Sequence, residues 1–197
     1  MDWYSRFFKP TVDYLIAITF LIALWPLYLF IYLMNLLVFR KGLFIQERIG
    51  FQSKPFMCIK FQSLRVNGQD DSAPLWGKLL RYSSLDELPQ MINILRGEMS
   101  FIGPRPLLPA YLSEYSQEQL KRHNVKPGIS GLAQVNGRNM LPWEESLAMD
   151  VYYAENISFR LDLLIVLQTI PQIFKINQVQ QSKSGSRQPF KAVNKND

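Results

Sequence analysis

The chain has 197 residues, with 22 Lys and Arg against 16 Asp and Glu, one Cys and one His. The single cysteine excludes an internal disulfide, and one His with one Cys cannot build a zinc site of the usual ligand count. The net charge of +6 calls for an anionic partner, but the basic residues are dispersed and not interleaved with aromatics, which argues for lipid headgroups or a phosphorylated ligand and against nucleic acid.

The first predicted element is the uncharged apolar run from Tyr14 to Phe39. It is long enough to cross a bilayer, which takes roughly 20 apolar residues. Pro26 lies near its middle, where it cannot donate to the carbonyl of Ile22, so a break belongs there. Both flanks are basic, with Arg6 and Lys9 before the run and Arg40, Lys41 and Arg48 after it. A spanning helix usually leaves one flank poorer in Lys and Arg. A helix-break-helix that enters and returns fits these features; a kinked spanning anchor also fits, because membrane helices tolerate proline. A cleaved signal peptide does not, since the run is too long and lacks a small-residue cleavage site.

Residues 1–41 are therefore assigned to a membrane-inserted segment, 42–178 to one domain, and 179–197, polar and without an apolar face, to a disordered tail. Within the domain, Leu43 to Leu64 predicts a β-hairpin turning around Gly50 to Lys54. Cys58 lies in an apolar run and reads as a small buried residue. Asn67 to Ser72 reads as a polar loop. Pro74 to Tyr82 predicts a short amphipathic helix with Leu75, Trp76, Leu79 and Leu80 on one side. A helix from Ser84 to a glycine stop at Gly97 follows. A polar helix is expected over Tyr111 to Arg122, an irregular stretch over Lys126 to Arg138, and a helix over Trp143 to Ala154. Leu161 to Ile176, interrupted by Pro171, reads as an interfacial helix or a core helix. The expected class is α-rich α+β: an N-terminal helix-break-helix membrane segment, re-entrant or kinked and spanning, plus a small cytoplasmic domain with a β-hairpin and amphipathic interfacial helices.

Ser84-Leu85-Asp86-Glu87 matches a capping box, in which Ser84 and Glu87 satisfy each other's backbone donors. The same placement also supports chemistry, because a carboxylate at a helix start stays ionised beside N–H groups that attract phosphate. Adjacent helical residues do not share a face, so Asp86 and Glu87 should have distinct roles. Pro89 lies too deep for the favoured first helical position. Gly103-Pro104-Arg105-Pro106 holds Arg105 on a stiff backbone, and arginine grips phosphate bidentately. The glycines of Lys126 to Gly131 and of Asn136 to Asn139 match no nucleotide fingerprint, and turn chemistry suffices for each alone.

Several motifs then occur in order: Gln46-x-Arg48-x-Gly50, Lys60-Phe61, Arg81-x-x-Ser84-Leu85-Asp86-Glu87-Leu88-Pro89-Gln90, and Asn93-x-Leu95-x-Gly97. Met99-Ser100-Phe101-x-Gly103-Pro104-Arg105-Pro106, Lys126-Pro127-Gly128-Ile129-Ser130-Gly131 and Gln134-Val135-Asn136-Gly137-Arg138 complete the series. Together they resemble the bacterial sugar transferase family, the small monotopic phosphoglycosyl transferases, over about residues 5 to 178.

The resemblance implies transfer of a sugar-1-phosphate from a UDP-sugar to undecaprenyl phosphate, with release of UMP and a need for Mg2+. It implies a re-entrant membrane helix broken at Pro26, at the cytoplasmic face of the bacterial inner membrane, as the first membrane step of a glycoconjugate pathway. It makes Asp86 the nucleophile and Glu87 its neighbour, both candidate metal ligands, with Lys60, Arg81, Arg105 and Arg138 binding substrate. An N-acetylated amino sugar is the expected donor, with neutral hexoses still open, and a homodimer is left open. Trp25, where many relatives have Ser, and Gln62, where they have Arg or Lys, depart from the pattern. A non-catalytic lipid-surface scaffold on the same fold is the rival reading, and the intact Asp86-Glu87 pair argues against it.

Overall fold

A computed structural model describes residues 3–65, 74–137, 140–174 and 190. The expected polar loop, Arg138 and all of the tail except Phe190 lie outside the described residues.

The N-terminal apolar run folds as two helices, α1 (Lys9–Ala23) and α2 (Trp25–Phe39), bent by 67° at Leu24. Pro26 falls in the first turn of α2, where its missing N–H costs nothing, and Leu24 carries the non-helical backbone. No single described helix is long and apolar enough to cross a membrane; the bent pair together reaches that requirement by length and composition alone. Its outward side is greasy: Leu15, Ile18, Phe20, Ile22, Trp25, Leu29, Phe30, Leu33 and Leu37 are all exposed.

The hairpin forms as expected, with β1 (Leu43–Ile49) antiparallel to β2 (Pro55–Phe61) and its turn between them. The register pairs Arg48 with Phe56, Gln46 with Cys58 and Phe44 with Lys60, so these six residues share one face. Helix α3 (Leu75–Tyr82) follows, but its apolar side chains divide: Leu80 is buried while Leu75 and Leu79 are exposed. Downstream lie α4 (Gln90–Leu95), closed by Gly97 in a left-handed conformation, and β3 (Ser100–Ile102).

The expected helix over Tyr111 to Arg122 breaks into 3-10 turns around the short α5 (Gln117–Leu120), whose N-terminus carries a complete Ser116–Gln119 capping box. The stretch expected to be irregular contains β4 (Gly128–Ser130), parallel to β3, and α6 (Leu132–Asn136). Its glycines serve close packing: a Cβ on Gly128 would lie 2.1 Å from the Gly103 nitrogen, and one on Gly131 2.2 Å from the Gly103 carbonyl oxygen. Helices α7 (Trp143–Glu155) and α8 (Phe159–Phe174) complete the fold, and α8 runs through Pro171 without ending there. Ile165 and Asp162 of α8 face inward while Leu163, Leu164, Val166, Leu167 and Ile170 face out, so the helix has a core side and an exposed apolar side.

Both arms of the bent pair pack into the domain. Ala17 of α1 joins Phe56, Cys58, Met91, Ile94 and Met99, and Ile31 of α2 joins Phe61 and Leu80. Polar bonds fix each outer end. Lys9, expected as a flanking surface charge, is instead buried in an ion pair with Asp162 at 2.6 Å, and Asp162 also accepts from Tyr4 and Tyr153. Near the end of α2, Asn35 is fully buried, donating to the Gly42 carbonyl and accepting from Trp76 Nε1.

Candidate active site

Asp86 and Glu87 lie in a 3-10 turn, Leu85–Glu87, between α3 and α4. The expected capping box does not form: Ser84 makes no side-chain cap and has a left-handed backbone, φ 57°. Glu87 turns instead to β2, where Lys60 Nζ donates to its Oε1 at 2.8 Å. This tertiary ion pair takes the carboxylate that the local pattern assigned to the backbone. Pro89, anomalous inside a single long helix, is the cap residue of a new one, α4, and its missing donor is no loss there.

Two further contacts lock this turn. Tyr28 of α2 donates to the Leu88 carbonyl at 2.7 Å, tying that helix to the backbone beside the carboxylates. On α4, fully buried Asn93 accepts from Ile59 N, while its amide donates to Met57 O and to the Glu98 carboxylate. Asn93 therefore sets α4 against β2, which fixes the separation between Glu87 and Lys60.

Over this turn opens a small, part-open cleft lined by Arg48, Cys58, Lys60, Glu87, Gln90, Arg105, Pro106, Gly128 and Ile129. Arg48, Cys58 and Lys60 come from the same hairpin face. Its wall carries three cations, Arg48, Lys60 and Arg105, against one carboxylate, Glu87. Burial pushes the Arg48 guanidinium below its ordinary pKa, and Arg105 beside it adds to the effect. Burial pushes the Cys58 thiol up, which keeps it protonated and poorly nucleophilic. A part-open pocket with surplus positive charge favours a multiply charged anion.

The expected site residues thus fall into three groups. Lys60, Glu87 and Arg105 line the cleft. Asp86 is buried in the same turn as Glu87 but is not on the cleft wall, and Arg81, in the last turn of α3, is not either. Arg138 lies outside the described residues. Gln62 is buried and donates to the Leu64 carbonyl instead of facing the cleft. Arg48, which no single motif assigned to binding, is on the wall; two-residue alternation with Lys60 across the hairpin was the signal that could have found it.

Among the described residues no group of three or more His, Cys, Asp or Glu side chains is placed to hold a metal. The donor set at the turn is two adjacent carboxylates, Asp86 and Glu87. Only Glu87 of the two lines the cleft, so a hard cation there would draw most of its oxygens from water and substrate phosphates.

The family model for the bacterial sugar transferases matches residues 4–176. The uncharacterized sugar transferase EpsL of Bacillus subtilis is 42% identical over 155 residues, covering 75% of this chain and 77% of EpsL. The exopolysaccharide production protein ExoY of Sinorhizobium fredii is 37% identical over 193 residues, covering 84% of each chain. The UDP-glucose:undecaprenyl-phosphate glucose-1-phosphate transferase of Klebsiella pneumoniae is 36% identical over 183 residues, which are 83% of this chain and 39% of that longer protein. With the cationic cleft and its carboxylate turn, these matches show that the chain belongs to the bacterial sugar transferase family and is a phosphoglycosyl transferase.

Proposed function

We propose that this protein transfers a sugar-1-phosphate from a UDP-sugar to undecaprenyl phosphate and releases UMP, through a covalent phosphosugar on Asp86. The observation that carries this reading is the cleft wall, where Arg48, Lys60 and Arg105 outnumber Glu87 and match the charge of a diphosphate. Asp86 adjoins the wall residue Glu87 but is itself buried off the wall, so the turn must present it to the cleft. Its carboxylate oxygen then attacks the β-phosphorus, and the bond from that phosphorus to the bridging oxygen breaks, with its electron pair leaving on UMP. An oxygen of undecaprenyl phosphate then attacks the same phosphorus and breaks the acyl phosphate, which restores the carboxylate. The sugar C1–O bond is untouched in both steps, so the anomeric configuration is kept. Splitting one displacement into two is the general advantage of a covalent intermediate.

Lys60 and Arg105 hold the diphosphate, with Arg48 beside them, and offset charge developing on UMP. Arg81 and Arg138 are proposed to bind substrate as well. Asp86 and Glu87 would hold Mg2+ together with the phosphates, and the ion would supply further neutralisation of the leaving group's charge. An N-acetylated amino sugar is the proposed donor, and the reaction begins a surface glycan pathway.

The re-entrant topology is part of the proposal. Lys9 at the start of α1 and Asn35 near the end of α2 are both bonded to the same domain, which supports both ends lying on one side of the bilayer. Cysteines placed by Asp2→Cys and Asn67→Cys, each in a Cys58→Ser background, should both resist a membrane-impermeant thiol reagent in intact cells. Labelling of the residue 2 site alone would mean a spanning helix and sink re-entry.

The activity test is UMP release from a panel that includes UDP-N-acetylated amino sugars, UDP-glucose and UDP-galactose, with undecaprenyl phosphate as acceptor. One donor should turn over, and Asp86→Asn should lower that rate about 10^4-fold or more, as loss of a nucleophile does. Unchanged turnover in Asp86→Asn would overturn the role given to Asp86, and no turnover of any donor would favour a scaffold.

A further inference from the structure

Arg105 is held from behind. Between Pro104 and Pro106 the backbone has no N–H of its own except at Arg105, so this segment cannot build a regular element, and its carbonyls must find donors elsewhere. Three donors reach it. Gly128 N donates to the Pro104 carbonyl at 3.0 Å and Ile49 N to the Leu107 carbonyl at 3.0 Å, so β4 and β1 hold its two ends. The carbonyl of Arg105 itself accepts from a side chain, Arg122 Nη2, at 2.6 Å.

Arg122 is 1% exposed, so it meets no solvent, and it is absent from the cleft wall. Its charge is balanced on α7, where Asp150 Oδ2 accepts from Nη2 at 2.7 Å and from Nε at 3.1 Å. The ring of Tyr115 covers the guanidinium at 5.8 Å, and His123 Nε2 lies 3.3 Å from Nη1. His123 stays neutral there, its pKa pushed down to about 4 by burial and by the cation beside it. The fork is thus fixed on every side before it touches Arg105.

We infer that Arg122, set by Asp150, is a positioning residue for substrate binding: it fixes the Arg105 backbone so that the Arg105 guanidinium meets the diphosphate in one orientation. This rests on the reading of the cleft as the diphosphate site. Planar bidentate recognition is sensitive to small misplacement, so loosening one carbonyl should weaken phosphate binding without a new charge entering the cleft.

The test uses the full-length protein in detergent micelles and UDP as the probe, read by titration calorimetry, with thermal unfolding as the fold control. Arg105→Ala should weaken UDP by about tenfold or more, as loss of a charge-assisted contact does. Arg122→Lys keeps a cation for Asp150 but loses the fork, and should weaken UDP by about fivefold. In the Arg105→Ala background, Arg122→Lys should cost nothing further, because coupled residues are not additive. Where Arg122→Lys proves unstable, Arg122→Met with Asp150→Leu removes the donor without stranding a buried charge and should give the same loss of UDP affinity and the same non-additivity. Equal weakening by either change with and without Arg105, or no weakening at all, overturns the inference. If Arg105→Ala itself leaves UDP affinity unchanged, the reading of the cleft fails first, and the inference falls with it.

Discussion

Two regions of this molecule set lysine or arginine against carboxylates, and they do so in different proportions. In the cleft, Lys60 and Glu87 remain part-exposed at 22% and 19%, and two more cations share the wall. In the scaffold, Arg122–Asp150 is one-to-one and almost sealed, and Lys9–Asp162 is sealed likewise, with buried Asp13 nearby and Asp162 also accepting from Tyr4 at Oδ2 and Tyr153 at Oδ1. A sealed one-to-one pair gains little in net stability but is costly to break, because a lone buried charge remains. An open, unbalanced cluster costs little to keep, since water reaches it, and it gains its counter-charge from a ligand. Charge balance, more than the presence of charge, separates the binding region from the frame.

The sharpest way to break this comparison is to delete one member from each region. Arg105→Ala should lower kcat/KM about 100-fold, in the range of a lost charge-assisted contact made in the transition state, and leave the melting temperature close to wild type. Asp162→Ala should do the reverse. Leaving Lys9 buried without its partner costs about 3–5 kcal/mol, or roughly 10 °C of melting temperature for a chain of this size. Scanning calorimetry and UMP release on both variants check the pair. A catalytic loss in Asp162→Ala, measured below its melting temperature and as large as that in Arg105→Ala, would erase the distinction.

A smaller effect sharpens it through pH. The pKa of His123 is down at about 4 in the folded chain, and its ordinary value is about 6.5. Because the folded pKa is the lower one, the unfolded chain binds more protons between these values. Stability contributed by neutral His123 is therefore complete above about pH 6.5 and is lost as pH falls toward 4, at up to about 1.4 kcal/mol per unit. Denaturant titrations from pH 7 to 4.5 should carry this slope, and His123→Gln should flatten it. The pH profile of kcat/KM above pH 6.5 should be the same in both.

Features that rest on covalent limits were legible in the sequence. Pro26 in an uncharged run required a break, and the helix pair bends by 67° at Leu24, two residues before it. Alternating apolar residues around a Gly–Lys turn required the hairpin, and two prolines around Arg105 marked a held side chain. What stayed hidden depended on partners distant in sequence. Ser84 to Glu87 reads as a capping box until Lys60, 27 residues away, claims Glu87. Lys9 reads as one of the basic residues flanking the apolar run until Asp162, 153 residues away, buries it. The glycines after Lys126 read as turns until β3 is laid alongside them. Arg48 needed the hairpin register before it could be placed on the same face as Lys60.

The central claim is that the surplus charge of the cleft delivers a diphosphate to Asp86 for covalent attack. Incubating the enzyme with the UDP-sugar that turns over, without undecaprenyl phosphate, and then digesting it for mass spectrometry tests this most directly. The account predicts one modified peptide, containing Asp86 and heavier by the phosphosugar, formed with one equivalent of UMP and absent in Asp86→Asn. No adduct, together with initial rates that require both substrates bound at once, would contradict it and make the transfer a single in-line displacement.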